Sequence, residues 1–253
     1  MSTDDYRVPP RDIAAFLTNY PSIPKSDHVN DPSANYLFYL NRLRCQPDNL
    51  LIEEIHSEWY ANCDQLEWNH AYIQWLFPIQ EEGMNVDAYR LLPHEIGLMR
   101  DNEEIICRLV KSYQMMLDFY GMRMLSDTGL LGRSLPPRDF KSRYRHLLRK
   151  THNNLRITRI LKCLSELGME HLNAGFLLHV LNEQCENGEL NSAPLRLSMD
   201  QWWASCIRDD YERDWVGQAI AKVRSGGLFT REMYETAMRI RQSKGRFPVD
   251  MFT

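Results

Sequence analysis

The sequence predicts an all-α protein, a single multi-helix bundle of about eight to ten helices with a mobile N-terminal arm. Helical periodicity continues almost without a break from residue 35 onward. No run of alternating Val, Ile and Thr reaches the length of a strand. The apolar share of 43% and the aromatic share of 11% provide for a packed core, so a disordered chain is excluded.

The domain organisation follows from where helical spacing begins and ends. Residues 1–33 are rich in Pro, Asp and Ser and are predicted to form the arm, with a short helical stretch over 12–19. A helical domain over 34–225 follows, and 226–253 form a C-terminal helix and tail. The predicted helices span 35–45, 50–61, 64–77, 94–124, 137–150, 154–167, 170–187, 199–222 with a break near Asp209, and 230–243.

Residues that stop or start helices support these bounds. Pro78 ends the helix before it, and Pro93 suits a first helical position. Gly168 and Gly188 stand where a C-cap is expected. Thr230 can cap the last helix through its hydroxyl group.

Composition also limits the class of protein. The net charge of −4 does not suit a chain that binds polyanions along its whole length. The apolar run 175–181 is far too short to span a bilayer, and the acidic start is unlike a targeting segment. Six cysteines are scattered without a C-x-x-C pair, which favours a reducing compartment. We therefore expect a soluble protein of the cytoplasm or nucleus.

No motif of catalysis or metal binding is found. The sequence lacks G-x-S-x-G, a phosphate-binding G-x-x-x-x-G-K-S/T loop, and an H-E-x-x-H helix. His171 and His179 could share a helix face, but no acidic residue between them completes a ligand set. We predict no enzyme activity, no metal and no cofactor, although a site built from distant residues stays open.

Charge is distributed unevenly along the chain. Residues 45–89 contain nine acids and no Lys or Arg, whereas 133–162 contain ten bases and one acid. In one interpretation the two segments neutralise each other or point to separate solvent faces. In the other, the basic segment receives an anionic partner. The basic amphipathic helix 137–150 could also lie on nucleic acid or a membrane surface, which the near-neutral net charge disfavours.

The predicted helix 64–77 is apolar on two sides. Its helical wheel places Leu66, Ile73 and Phe77 on one face and the aromatic stripe Trp68, Tyr72 and Trp75 on the opposite face. Such a helix is usually the buried centre of a bundle. The alternative is that the aromatic stripe lines a groove for a peptide.

The predicted helix 154–167 carries a core stripe of Ile157, Ile160, Leu161, Leu164 and Leu167. The opposite face, with Arg159, Lys162 and Glu166, is predicted to be solvated, and Arg156 lies on the flank. Asn153 or Asn154 can cap the first turn. Alternatively, the Asn side chains, Arg156 and the free amides of the helix start hold an anion such as a peptide carboxylate.

Two stretches of unusual composition carry a family resemblance. Residues 69–78, NHAYIQWLFP, resemble the signature of the opioid growth factor receptor family, and residues 152–162, HNNLRITRILK, are similar to its second signature. The similarity covers roughly 11–223. Further matching stretches are Asn19-Tyr20-Pro21, Phe38-Tyr39, 104–110, 116–121 and 166–168.

The resemblance implies a receptor-type domain, unrelated to seven-helix opioid receptors, that binds a short enkephalin peptide and restrains cell proliferation. It also implies location in the cytoplasm, the nucleus or at the nuclear envelope, with no enzyme activity and no cofactor. Longer family members continue into a polar tail with repeats and basic import clusters, whereas this sequence ends at Thr253.

The functional prediction is therefore a non-enzymatic receptor domain for an enkephalin-like peptide. The alternative is a helical scaffold that binds protein or nucleic acid through the basic segment 133–162. Protein partners on that segment and peripheral membrane association are compatible with the sequence, whereas nucleic acid is not expected. The candidate ligand-binding residues are Trp68, Tyr72, Trp75, His152, Asn153, Asn154, Arg156 and Arg159.

Overall fold

Helices dominate the described part of the chain, which in this computed structural model is residues 9–20, 33–249 and 251–252. The predicted all-α single domain is confirmed, with one short hairpin of β1 (Met122–Met124) and β2 (Leu131–Arg133). A 3-10 helix spans Trp203–Cys206. The α-helices are α1 (Arg11–Leu17), α2 (Ala34–Tyr39), α3 (Ile52–Glu58), α4 (Cys63–Trp68), α5 (Tyr72–Leu76), α6 (Pro93–Arg100), α7 (Glu103–Tyr120), α8 (Phe140–Arg149), α9 (His152–Glu166), α10 (Glu170–Glu186), α11 (Ala193–Gln201), α12 (Asp210–Arg224) and α13 (Arg231–Lys244).

The helices α9 and α10 form the centre of the bundle. The predicted core stripe of α9 is confirmed, because all five of its Ile and Leu side chains are buried. α10 packs against α9, α12 and α13, and α7 packs against α3, α6 and α8. A glycine is required at position 175 of α10, because a Cβ there would lie 1.9 Å from the Gly129 carbonyl oxygen.

Several predicted helices are divided in the structure, so the number of helices exceeds eight to ten. The predicted helix 64–77 is two helices, because Asn69 has an extended backbone and its side-chain oxygen accepts the Ala71 amide. The predicted helix 94–124 separates where Asn102 caps α7 by accepting the Ile105 amide. The predicted helix 199–222 is replaced by α11, the 3-10 helix and α12.

Both ends of the described chain pack on the bundle. In α1, Ile13 and Phe16 are buried against the body of the protein, while 1–8 and 21–32 of the predicted arm lie outside the described residues. Near the other end, the ring of Phe247 stacks on Trp215 with centroids 4.3 Å apart. We propose that the folded unit extends beyond 34–225 in both directions.

Lys162 and Glu166 on the polar face of α9 are buried, which corrects the prediction of a solvated face. Lys162 Nζ lies 2.9 Å from Asp12 Oδ2 and 2.6 Å from Glu81 Oε1. Glu166, also buried, forms an ion pair with Arg208 at 2.8 Å. A helical wheel does not reveal that α1, the 70–84 segment and the residues that follow the 3-10 helix enclose this side of α9.

Replacing Lys162 with Ala is expected to lower the free energy of unfolding by about 1–3 kcal/mol. The change leaves two carboxylates without their shared cation, and their partial exposure keeps the cost below that of a fully buried pair. The exposed Lys150, changed to Ala, should cost under about 0.5 kcal/mol. Urea titrations compare the two variants, and equal losses would mean that Lys162 is not held by these acids.

Candidate functional site

Two arginines of α9 bind the carbonyl ends of α4 and α5. Arg156 Nη1 donates to Leu66 O at 2.8 Å, and Arg156 Nη2 donates to Asn69 O at 2.9 Å. One turn further along α9, Arg159 Nε donates to Phe77 O at 2.8 Å. The last carbonyls of a helix have no partner within the helix, so these guanidinium groups satisfy them. Through these hydrogen bonds, the segment 66–77 is held against the surface of α9.

A buried carboxylate strengthens the same contact. Glu67 of α4 lies 2.9 Å from His146 Nε2 and 3.2 Å from His152 Nε2, and Asn153 Nδ2 donates to it at 3.2 Å. Burial raises the pKa of Glu67, but the hydrogen bonds from His146 and Asn153 and the charge interactions with His146 and His152 together bring this pKa below its ordinary value. The acidic and basic segments therefore meet, and part of their charge is neutralised across a packed interface.

A groove opens between the outer face of α9 and the segment 70–84. Its volume is about 610 Å³, within the range of ligand pockets. We call it the α9 groove. The lining residues are Asp12, His70, Ile73, Gln74, Ile79, Glu81, Glu82, Gly83, Met84, His152, Leu155, Arg156, Thr158, Arg159, Lys162 and Trp202.

The α9 groove is mainly apolar. Ile73 and Ile79 are buried side chains of its lining, and the half-buried Trp202 provides an aromatic surface. Leu155 and Met84, which also line the groove, are 74% and 96% exposed. Exposed apolar side chains beside a concave apolar surface are typical of sites that bind a ligand or a protein partner.

Three cations line the groove, and their partners differ. Arg156 is occupied by the backbone of α4, and Lys162 is held by Asp12 and Glu81. Arg159 uses Nε for Phe77 O, while its Nη1 and Nη2 make no hydrogen bond to the described residues. Burial lowers the pKa of Arg159 to about 10, because removal from water disfavours the charged guanidinium and nearby negative groups offset this effect only in part.

A family model described as the opioid growth factor receptor conserved region matches residues 28–227. The chain belongs to the opioid growth factor receptor family. It is 42% identical to human opioid growth factor receptor over 80% of this chain and 29% of that protein. It is 36% identical to opioid growth factor receptor-like protein 1 from Rattus norvegicus, over 80% of this chain and 42% of that protein. No solved structure matches.

The chain thus spans less than half the length of these relatives. Within the described ranges, no helix is both long and apolar enough to cross a membrane. The same ranges hold no group of three or more His, Cys, Asp or Glu side chains that could bind a metal ion.

The two stretches that resemble the family signatures form the walls of the groove and the contact behind it. Of the predicted site residues, His152, Arg156 and Arg159 line the groove. Arg156, proposed from the sequence as the carboxylate ligand, instead donates to backbone carbonyls. Asn153 and Asn154 are buried: the first binds Glu67, and the backbone oxygen of the second accepts from Trp203 Nε1.

The predicted aromatic stripe does not exist, because the chain breaks at residues 69–71. Trp68 is 78% exposed and lies outside the groove lining. Tyr72 is buried and donates through its hydroxyl group to Leu66 O at 3.0 Å. Trp75 is also buried, and its Nε1 donates to Gln46 O at 3.0 Å. Tyr72 and Trp75 thus support the segment from behind.

The sequence prediction missed most of the apolar lining. Leu155 could have been found, because it is the apolar residue on the polar face of α9, at helical spacing from His152 and Arg159. The sequence around Trp202 did not indicate a binding site, because Trp202 stands at the C-terminal end of α11 and joins the groove only in the folded structure. Met84 lies in a loop, where periodicity says nothing about position.

Replacing Arg156 with Met should lower the free energy of unfolding by at least about 3 kcal/mol. The variant removes the side-chain donors of the Glu67 and Asn69 carbonyls inside a packed interface, and Leu66 O keeps only the Tyr72 hydroxyl group. Urea denaturation followed by tryptophan fluorescence measures the loss. Arg149, an exposed neighbour in α8, is the matched control, and its change to Met should cost under about 0.5 kcal/mol. Indistinguishable stabilities would contradict the capping role of Arg156.

Proposed function

We propose that this family member is a non-enzymatic receptor-type domain that binds a short opioid peptide of the enkephalin type in the α9 groove. Relatives that share 42% and 36% identity are named opioid growth factor receptor and opioid growth factor receptor-like protein. The observation that carries the proposal is the apolar groove of about 610 Å³ with the incompletely bonded Arg159 in its wall. Linkage to growth restraint is part of this proposal and rests on the family alone.

The chemistry of the groove suits a small peptide. Such a ligand offers an apolar or aromatic side chain together with a charged terminus, and specific pockets combine a mostly apolar wall with few polar groups. Trp202 and the two isoleucines supply the wall, while Arg159 supplies a positive charge. The acids Glu81 and Glu82 belong to the same lining, so the groove offers negative charge for the amino group of a zwitterionic peptide and positive charge for its carboxylate.

The place of action is proposed from the family as well. We infer that the protein works in the cytoplasm or the nucleus, and peripheral association with the nuclear envelope is compatible with this. The match covers less than half of each of these relatives, so the proposal does not include activities that depend on the rest of their length.

A second candidate function is a scaffold that binds a protein partner through α8. Lys141, Arg145 and Arg149 on this helix are exposed, and none forms an ion pair within the described residues. Much of the remaining basic segment is occupied, since Arg133 and Arg138 pair with Glu183 and Asp118. The α8 face lies outside the groove, so a partner bound there would be insensitive to changes in the groove.

Replacing Leu155 with Glu should weaken binding of an enkephalin-type pentapeptide by tenfold or more. Leu155 is exposed at the groove, so the fold tolerates the change, but the bound peptide loses apolar contact and meets a desolvated charge. Isothermal titration calorimetry with the purified chain gives the dissociation constants.

Leu98 of α6 is the matched control, because it is an exposed leucine away from the groove. The change of Leu98 to Glu should leave the affinity for the peptide unaltered. Equal affinities for the Leu155 and Leu98 variants would place the peptide elsewhere. If the peptide does not bind the unaltered chain, the proposed function is wrong.

A further inference from the structure

Several buried or half-buried cations of this molecule pair with carboxylates, and Arg159 does not. Arg108 meets Glu53 and Glu104, Arg241 meets Glu212, and Lys162 meets two carboxylates. Arg159 is enclosed on α9, yet none of the described carboxylates forms an ion pair with it. Only Nε has a partner, the carbonyl of Phe77, so Nη1 and Nη2 make no hydrogen bond to the described residues, and Arg159 lines the α9 groove.

We propose that the Nη1 and Nη2 atoms of Arg159 bind the free C-terminal carboxylate of the peptide. This assignment rests on the proposed function and names the terminus that the groove recognises. A planar guanidinium with two free donors matches the two oxygens of a carboxylate in a bidentate pair. The hydrogen bond from Nε to Phe77 O fixes the plane of the guanidinium before the ligand arrives.

Electrostatics favours a carboxylate over a dianion. Asp12, Glu81 and Glu82 belong to the same lining, and Lys162 compensates two of these three acids. The three cations that line the groove equal these three acids in number, so a phosphate or sulfate dianion would leave two negative charges uncompensated and a carboxylate only one. A monoanion is therefore the species that the groove accommodates.

The position of the acids also indicates that the peptide ends at Arg159. The cluster of Lys162, Asp12 and Glu81 lies about one turn of α9 beyond it, where further carboxylates would be repelled. Ile73 and Ile79 belong to the apolar part of the same groove and suit an apolar side chain of a last residue. A peptide with a free apolar C-terminal residue is thus the ligand class.

Calorimetry with two pentapeptides of one sequence, as the free acid and as the C-terminal amide, tests the assignment on the full chain. The unaltered protein should bind the free acid about 10- to 100-fold more tightly than the amide, as expected for a hydrogen-bonded charge. With Arg159→Gln, the free acid should lose about this factor and the amide should change little.

The quantity compared between proteins is the ratio of the affinity for the free acid to the affinity for the amide. A modest loss of stability in Arg159→Gln lowers both affinities alike and leaves this ratio unchanged. Arg149→Gln, on the exposed face of α8, should keep the ratio of the unaltered chain. An equal preference for the free acid in Arg159→Gln and the unaltered chain would overturn the role of Arg159, while peptide binding in the groove would stand. Failure of both peptides to bind the unaltered chain would overturn the proposed function together with this inference.

Discussion

The contact on which the rest of this structure depends is that between the arginines of α9 and the carbonyl ends of α4 and α5. Two very short helices expose several unpaired carbonyl groups, and such helices are not stable alone. Arg156 and Arg159 satisfy them from a helix at the centre of the bundle. The segment 70–84 is thereby held alongside α9, and the groove is the space between them.

This arrangement separates two uses of positive charge. Arg156 donates through Nη1 and Nη2 to backbone carbonyls and to the Asn153 side chain, so it stabilises the fold. Arg159, one turn away, donates only through Nε to the backbone, and its Nη1 and Nη2 make no hydrogen bond to the described residues. The opposite charges of 45–89 and 133–162 are thus explained in part by mutual neutralisation, and in part by a groove with one incompletely compensated cation.

Patterns of 3.6-residue spacing predicted the fold class, the extents of α9 and α10, and the buried stripe of α9 from Ile157 to Leu167. They could not place Trp68, Tyr72 and Trp75, because a single hydrogen bond from Ala71 to the Asn69 side chain ends the helix that would align them. They also failed for Lys162, whose surroundings come from segments 80 or more residues away. Tertiary contacts of this kind leave no local pattern.

Amide hydrogen exchange, measured with and without the pentapeptide, tests most directly whether the interface between α9 and the α4–α5 segment forms a binding groove. We expect increased protection confined to residues 70–84 and 152–162, together with the surroundings of Trp202. Protection confined to residues 140–149 would contradict peptide binding in the α9 groove. Unchanged exchange in the presence of a peptide that calorimetry shows to bind would contradict it as well.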